Sequence, residues 1–231
     1  MRLALLSDVH GNLPALEAVL RALAGERVDR ILYAGDFVGY YPFVNEVIDR
    51  LRDLNAVAIR GNHERYLLEP GTVSAEKWQA YRLEEVAASI REDNLAWLRG
   101  LPEKREMTLN GVRAILCHGS PWKYDEYIYP DSDGSERFDR LDADVVIMGH
   151  THIPFEKQAG SILLLNPGSC GQPRDYRPGA CYAVYDTRSR KVGFRRAAYD
   201  IASLVKILAA KGYPAALIEI LTREKLVESS R

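Results

Sequence analysis

Short apolar runs alternate with longer amphipathic segments over the first 60 residues of the chain. Residues 3–6, 31–34 and 56–59 are apolar runs of the length that buried strands have. A helix is predicted to begin after Asn12, a suitable N-cap residue, because apolar positions then recur at helical spacing. A second helix is predicted at about residues 42–53. Strand, polar loop and helix therefore alternate, which is typical of a parallel sheet with crossover helices.

The next segment has a different pattern, and we interpret about residues 66–101 as a helical insert. Residues 74–92 are rich in charge and place their apolar members at helical spacing. A second short helix is expected at about residues 94–99, where Gly100 and Pro102 end it. We expect the insert to lie over the mouth of the site that the motifs form.

The second half of the chain has the pattern of strands and hairpins. Three pairs of strands are predicted, at residues 106–109 and 112–117, 155–158 and 161–165, and 181–186 and 191–196. Asn110-Gly111 is a strong signal for the first turn. Residues 145–148 are a further buried strand, and residues 201–226 have the pattern of two helices broken near Gly212. Without a repeat or a linker segment, we expect a single domain over residues 1–231.

The charges of the chain nearly cancel, with 31 basic and 32 acidic residues and a net charge of -1. This balance disfavours a long nucleic acid or an anionic membrane surface as a partner. The first apolar run is shorter than the core of a signal peptide, and no run approaches the ~18 residues of a membrane span. We therefore expect a cytoplasmic protein. The three cysteines lack metal-ligand spacing and are expected to be reduced thiols.

All five histidines fall in short, glycine-containing, loop-like motifs at points where predicted strands end. Because the ends of neighbouring parallel strands meet in one crevice, side chains that are distant in sequence can converge there. Imidazole, carboxylate and amide donors without thiolate suit manganese, iron, zinc or nickel. The candidate metal ligands are Asp8, His10, Asp36, Asn62, His118, His150 and His152, and His63 lies in the same group of motifs.

This donor set indicates a site for two divalent metal ions. Two ions about 3.5–4 Å apart need a shared ligand, and a carboxylate can bridge them whereas a neutral imidazole cannot. Asp36 is the candidate bridge because it stands apart from any histidine pair. Such a pair of ions would lower the pKa of a bound water, neutralise phosphate oxygens and align an ester for in-line attack.

The ordered motifs resemble those of the calcineurin-like metallophosphoesterases: Asp8-x-His10, Gly35-Asp36, Gly61-Asn62-His63-Glu64, His118 and Gly149-His150-x-His152. Asn166-Pro167-Gly168-Ser169 and Gln172-Pro173-Arg174-Asp175 resemble the small bacterial and archaeal phosphodiesterase branch. The resemblance implies a four-layer α/β fold in which two mixed β-sheets pack as a sandwich and are flanked by helices. It implies one metal ion held by Asp8, His10, Asp36 and His152, and a second held by Asp36, Asn62, His118 and His150.

The resemblance also gives His63 a catalytic role outside the metal ligands, where it contacts the phosphate or protonates the leaving oxygen. A place among the ligands, or a structural hydrogen bond, is the alternative for this residue. The Ser/Thr protein phosphatases of the superfamily follow Gly-Asp with an Asp-Arg pair that orients the histidine and binds phosphate. Phe37 and Val38 follow here. Protein phosphatase activity is therefore disfavoured, and the residue that orients His63 stays open.

Candidate substrate contacts are Arg60, Arg174 and Tyr40. Arginine matches phosphate by its bidentate geometry, and both arginines flank the motifs. Tyr40 could stack on a base or an aryl group, and packing against the helical insert is the alternative.

The expected function is a dinuclear metal-dependent phosphoesterase that hydrolyses phosphodiester bonds of small-molecule or nucleotide substrates by attack of a metal-bound hydroxide. A phosphomonoesterase is the near variant. Two other hypotheses stay open at this point. One is a metal-binding scaffold of the same fold that serves protein interaction, and the other is a nuclease that acts on short oligonucleotides.

Overall fold

The computed structural model describes residues 1–54 and 56–223, and two five-stranded β-sheets form its centre. The strands are β1 Arg2–Leu6, β2 Arg30–Tyr33, β3 Val57–Ala58, β4 Lys104–Leu109, β5 Val112–Cys117, β6 Val145–Ile147, β7 Pro154–Ala159, β8 Ile162–Pro167, β9 Ala180–Asp186 and β10 Lys191–Ala197. Their order is β10-β9-β1-β2-β3 in the first sheet and β4-β5-β6-β8-β7 in the second. Each sheet combines parallel and antiparallel pairs, which confirms the predicted pair of mixed sheets.

Helices connect and flank the strands: α1 Leu13–Ala24, α2 Val44–Asp53, α3 Asn62–Leu68, α4 Ala75–Ala80, α5 Leu83–Ser89, α6 Glu92–Gly100, α7 Ile201–Ala210 and α8 Ala215–Thr222. The predicted cap of α1 is confirmed, because the Asn12 side chain accepts a hydrogen bond from the Ala15 N–H. Residues 224–226 of the predicted C-terminal helices lie outside the described residues. Within the described part of the chain, no helix combines the length and the apolar character needed to cross a bilayer.

Two predictions in the middle of the chain were wrong. The segment at residues 74–92 is two helices, because Arg82 adopts a left-handed backbone with φ of 57° between α4 and α5. Asn62 and His63, which were interpreted as part of a loop, lie in the first turn of α3. Hydrophobic spacing carries no signal for a one-residue break or for a helix of seven residues.

The core lies on both faces of the first sheet. Leu3 and Leu5 of β1 pack between the sheets with Leu116, whereas Leu6 packs with Leu16 of α1 in the helical layer. A strand that is buried on both faces has a continuous apolar sequence, which is why this run lacks alternation. The outer face of the second sheet is covered by residues from the connection between β5 and β6, among them Ile128, Phe138 and Ala143.

The polar motifs meet at one end of both sheets. The first three strands are parallel, and so are β5 and β6, so their carboxyl ends lie together. Backbone hydrogen bonds join the loops that follow, from Asp8 N to the Gly35 carbonyl (3.0 Å) and from His10 N to the Asp36 carbonyl (3.1 Å). The His150 N–H from the second sheet donates to Oδ2 of Asp8 at 3.2 Å. This end of the sandwich therefore holds the candidate site.

Candidate metal centre

The structure brings the seven predicted ligands and His63 into one buried group. None of these residues is more than 5 % exposed. Their donor atoms form three overlapping groups within 4.8 Å: Asp8, His10 and His152; His10, Asp36 and His63; and Asp36, His118 and His150. Asp36 and His10 each belong to two of the groups, and of the two only a carboxylate can bridge two metal ions.

Backbone geometry aims these side chains inward. Of the ten non-glycine residues that the structure describes with positive φ, five are Asp8, His10, Asp36, His150 and His152, with φ between 51° and 69°. This left-handed region costs most residues of order 1 kcal/mol or more, and such residues concentrate at functional sites. The sharp turn at each strand end therefore costs conformational energy, which the packing of the surrounding sheets offsets.

The first half of the group centres on Asp8. Its Oδ1 atom lies 3.3 Å from His152 Nε2 and 3.7 Å from His10 Nε2, and it has no hydrogen-bond partner among the described residues. His10 Nε2 is also 3.6 Å from Asp36 Oδ2. The four side chains meet from the loops that follow three strands, β1, β2 and β6.

The second half centres on Asp36 Oδ2, which lies 3.3 Å from His118 Nε2. The same His118 nitrogen is 3.0 Å from Asn62 Oδ1. His150 Nε2 is buried, and it finds no hydrogen-bond partner in the described part of the chain. These four residues are the second predicted set of ligands.

Backbone carbonyls determine which ring nitrogen of each histidine faces the centre. The Nδ1–H group of His10 donates to the Val38 carbonyl at 3.0 Å, and that of His152 donates to the Gln172 carbonyl at 2.7 Å. Such hydrogen bonds fix the tautomer and leave Nε2 as the electron-pair donor. His118 Nδ1 is likewise 2.6 Å from the Ala34 carbonyl.

Two of these bare nitrogens lie close enough to one another to bind the same metal ion. His10 Nε2 and His152 Nε2 are 3.1 Å apart. Burial lowers the pKa of His10 to about 3 and that of His152 well below its usual value, so neither ring carries a second proton. Two acceptors at this distance repel each other unless a cation lies between them. The donor set therefore fits a divalent metal ion.

Asp36 and His118 form the most strongly charged pair of the centre. Burial alone would raise the pKa of Asp36, but His118 and His63 hold it well below its usual value. Burial alone would lower the pKa of His118, but the charge of Asp36 raises it to about 10. Without a metal ion, a proton on His118 thus supplies the positive charge that this half of the group needs.

Glu64 organises the loop that carries Asp36, a role that the sequence analysis did not assign. Its buried carboxylate accepts four backbone N–H groups, from Asp36 (2.9 Å), Phe37 (2.7 Å), Val38 (3.1 Å) and Gly61 (2.8 Å). Burial raises the pKa of Glu64 to about 7 in opposition to these donors. The available sequence signal was its place as the third residue of α3, where glutamate caps a helix.

His63 is held by ring packing. Its backbone N–H donates to Asp36 Oδ1 at 3.0 Å, and its ring stacks on Tyr81 of the insert at 4.2 Å between centroids. The Nδ1 atom has no hydrogen-bond partner among the described residues, and Gly39 lies against it. Tyr81, which lies within the residues 74–92 that the helical spacing covers, is thus the neighbour that fixes the ring plane.

The candidate substrate contacts lie in different places. Arg174 and Tyr40 line the same pocket as His63, and the Arg174 guanidinium donates to the Tyr40 hydroxyl at 3.2 Å. Tyr40 is 8 % exposed and packs against Tyr81 of the insert. Arg60 lies 3.9 Å from Glu103 and is not among the residues that line the pocket, so its contact with substrate stays a prediction.

Comparisons with known proteins agree with this geometry. Residues 1–190 match the model of the calcineurin-like phosphoesterase superfamily domain. The chain is 33% identical over 221 residues to an uncharacterized protein of Methanocaldococcus jannaschii, covering 86% of this chain and 88% of the other. It is 29% identical over 199 residues to the phosphodiesterase YfcE of Escherichia coli, covering 80% and 88%. A crystal structure of a metallophosphoesterase from Sphaerobacter thermophilus superposes with a TM-score of 0.82 and 30% identity, covering 96% and 98%. The chain therefore belongs to the calcineurin-like phosphoesterase superfamily.

Proposed function

We propose that the protein is a dinuclear metal-dependent phosphoesterase that hydrolyses phosphodiester bonds of small-molecule or nucleotide substrates. The carrying observation is a buried cluster of carboxylate and imidazole donors in overlapping groups within 4.8 Å, formed by Asp8, His10, Asp36, His118, His150 and His152. The E. coli relative is named a phosphodiesterase, which supports the diester as the substrate class.

The proposed ligands divide into two sets that share Asp36. The first set is Asp8, His10, Asp36 and His152, and the second is Asp36, Asn62, His118 and His150. When bound, two divalent ions supply a hydroxide near neutral pH and neutralise the phosphate oxygens. The protein contributes fixed donors in a buried pocket, so no reorganisation is needed during the reaction.

His63 acts on the phosphate from outside the two sets. Burial lowers its pKa to about 3, so the imidazole is neutral at pH 7. A neutral ring still has one N–H group, which can donate to a phosphoryl oxygen. This favours phosphate contact over proton transfer to the leaving oxygen as its role, because the latter needs the charged ring.

Arg174 supplies the pocket with one permanent positive charge. Its guanidinium is positioned by the Tyr40 hydroxyl and by Gln172 Oε1 at 3.1 Å. A phosphodiester has one negative charge and a monoester has up to two, so a single arginine beside the ions matches the diester better. Rates on bis(p-nitrophenyl) phosphate and on p-nitrophenyl phosphate, which share one leaving group, test this preference.

The central test combines metal analysis with hydrolysis of an aryl phosphodiester in the presence of manganese. Asp36→Ala is expected to remove bound metal and activity together. His63→Ala is expected to keep the metal and to lose about 100-fold or more in rate. Asp53→Ala, at an exposed aspartate at the end of α2, is the control and should change neither.

Two results would count against the proposal. Absence of turnover with every divalent metal would overturn the activity, and bound metal together with a stable protein partner would then favour the scaffold hypothesis. Stoichiometric loss of metal from His63→Ala would place His63 among the ligands instead.

A further inference from the structure

Two exposed tyrosines stand beside the pocket on the connection between β5 and β6. Tyr127 is 45% exposed and Tyr129 is 37% exposed, although tyrosine usually buries most of its ring. The two rings are parallel, with 6° between their planes and 5.9 Å between their centroids. The molecule thus presents a pair of stacked aromatic rings to solvent.

The backbone is built to present this pair. Ile128, between the two tyrosines, is 8% exposed and packs in the core beneath the second sheet. The buried isoleucine thus anchors the segment while the tyrosines on either side of it are exposed with their rings parallel. The turn that follows is closed by Ser132, whose Oγ accepts from the Tyr129 N–H at 2.8 Å and whose carbonyl accepts from Lys157 Nζ at 2.8 Å.

The pair adjoins the candidate metal centre. The Tyr127 ring lies 4.0 Å from the ring of His150, and Tyr127 lines the pocket together with His63 and Arg174. A phosphoryl group bound in this pocket would therefore carry its ester group past the tyrosine rings. Stacking on such rings stabilises the binding of planar groups, and it does so for every type of base.

We propose that Tyr127 and Tyr129 form a subsite for the planar ring of the substrate, so that the preferred esters are aryl or nucleoside phosphates rather than alkyl phosphates. This inference rests on the proposed function of the same site, because it assumes that phosphate binds beside His150. Tyr129 is the member to change, because it is the Tyr127 ring of this pair that contacts a proposed ligand, His150.

The test measures binding of two ligands that share a phosphate and a ribose and differ in the base. Dissociation constants of adenosine 5′-monophosphate and ribose 5-phosphate are measured by calorimetry on the manganese-loaded full chain. Stacking on one ring predicts that the nucleotide binds on the order of 10-fold more tightly. In Tyr129→Ala this ratio should fall to about 2 or less, and in Tyr129→Phe it should be kept, because the ring remains.

Trp122→Ala is the matched control on the same connection. Trp122 is 49% exposed, but its ring is already covered by the Arg137 guanidinium at 4.5 Å and packs against Phe138. Its removal should leave the ratio of the two constants unchanged.

A ratio near 1 in the unchanged protein, or a ratio that Tyr129→Ala does not alter, would overturn the subsite while the phosphoesterase proposal still stands. Equal loss of the ratio in Trp122→Ala would assign the effect to the whole connection and would also overturn it. Failure of both ligands to bind would overturn the subsite, and hydrolysis of bis(p-nitrophenyl) phosphate by the same preparation decides the phosphoesterase proposal separately.

Discussion

Gly39→Ala tests whether catalysis depends on the exact placement of His63. Gly39 has φ of 88° and lies against the edge of the His63 ring. A methyl group there would lie inside van der Waals contact of His63 Nδ1, at 3.0 Å from Cε1 and at 3.1 Å from the Tyr81 carbonyl oxygen. The His63 ring is confined on its other side by Tyr81, so the methyl group forces a displacement.

The expected loss has two parts. Alanine at a left-handed position costs about 1–2 kcal/mol of folding free energy, which lowers the melting temperature by a few degrees in a chain of this size. A displacement of about 1 Å in a catalytic group costs about 100-fold in rate. We therefore expect a small fall in stability and a large fall in kcat, with the metal content unchanged.

Gly111→Ala separates the two parts. Gly111 has φ of 80°, and no atom lies within 4 Å of the position that its Cβ would occupy. This variant should show the same fall in melting temperature with an unchanged kcat. If Gly39→Ala retained the rate of Gly111→Ala, the placement of His63 would not limit the reaction. Loss of metal from both Gly39→Ala and His63→Ala would place His63 among the ligands.

Three further predictions concern the surroundings of the centre. Tyr81→Leu should lower kcat about 10-fold, because it removes the ring that stacks on His63. Tyr81→Phe keeps that ring and should keep kcat, and steady-state kinetics of the two variants measures the difference. Glu64→Gln should destabilise the fold by about 3 kcal/mol, because an amide NH2 group would face backbone N–H donors. Denaturant unfolding measures this loss against Glu69→Gln, which removes only an exposed ion pair and should have almost no effect. A thiol reagent at pH 8 should label no cysteine of the native protein and all three after denaturation, because burial raises every thiol pKa, to about 11 for Cys181 and higher for the others. Labelling of the native protein would contradict that burial.

The sequence predicted the sheet strands and the strand ends at which the proposed ligands gather, because both follow from local patterns. In a chain where predicted strands and helices alternate, an apolar run of four residues followed by a polar, glycine-containing motif favours a buried strand that ends in a loop. The cap at Asn12 and the turn at Asn110-Gly111 are equally local, and both were confirmed.

The neighbours of His63 could not be predicted in the same way. Tyr81 lies at the junction of α4 and α5, and Tyr127 lies on an irregular connection, so their positions depend on tertiary packing. A tyrosine at helical spacing looks the same in sequence whether it supports a core or a catalytic ring. Glu64 was present in the motif, but three of its four backbone donors come from a loop about 27 residues away in the chain.

The left-handed backbone at five proposed ligands sets the preference of the local backbone against the chemistry of these positions. Glycine adopts that conformation at lower energy than aspartate or histidine, so backbone conformation alone gives no reason to keep these side chains. A relative without selection for hydrolysis can replace some of them by glycine and still fold, at the cost of buried hydrogen bonds such as those that Asp8 and Asp36 accept from backbone N–H groups. A high melting temperature in a related protein is therefore no evidence that its centre is intact, and only the donor atoms themselves can be taken as that evidence.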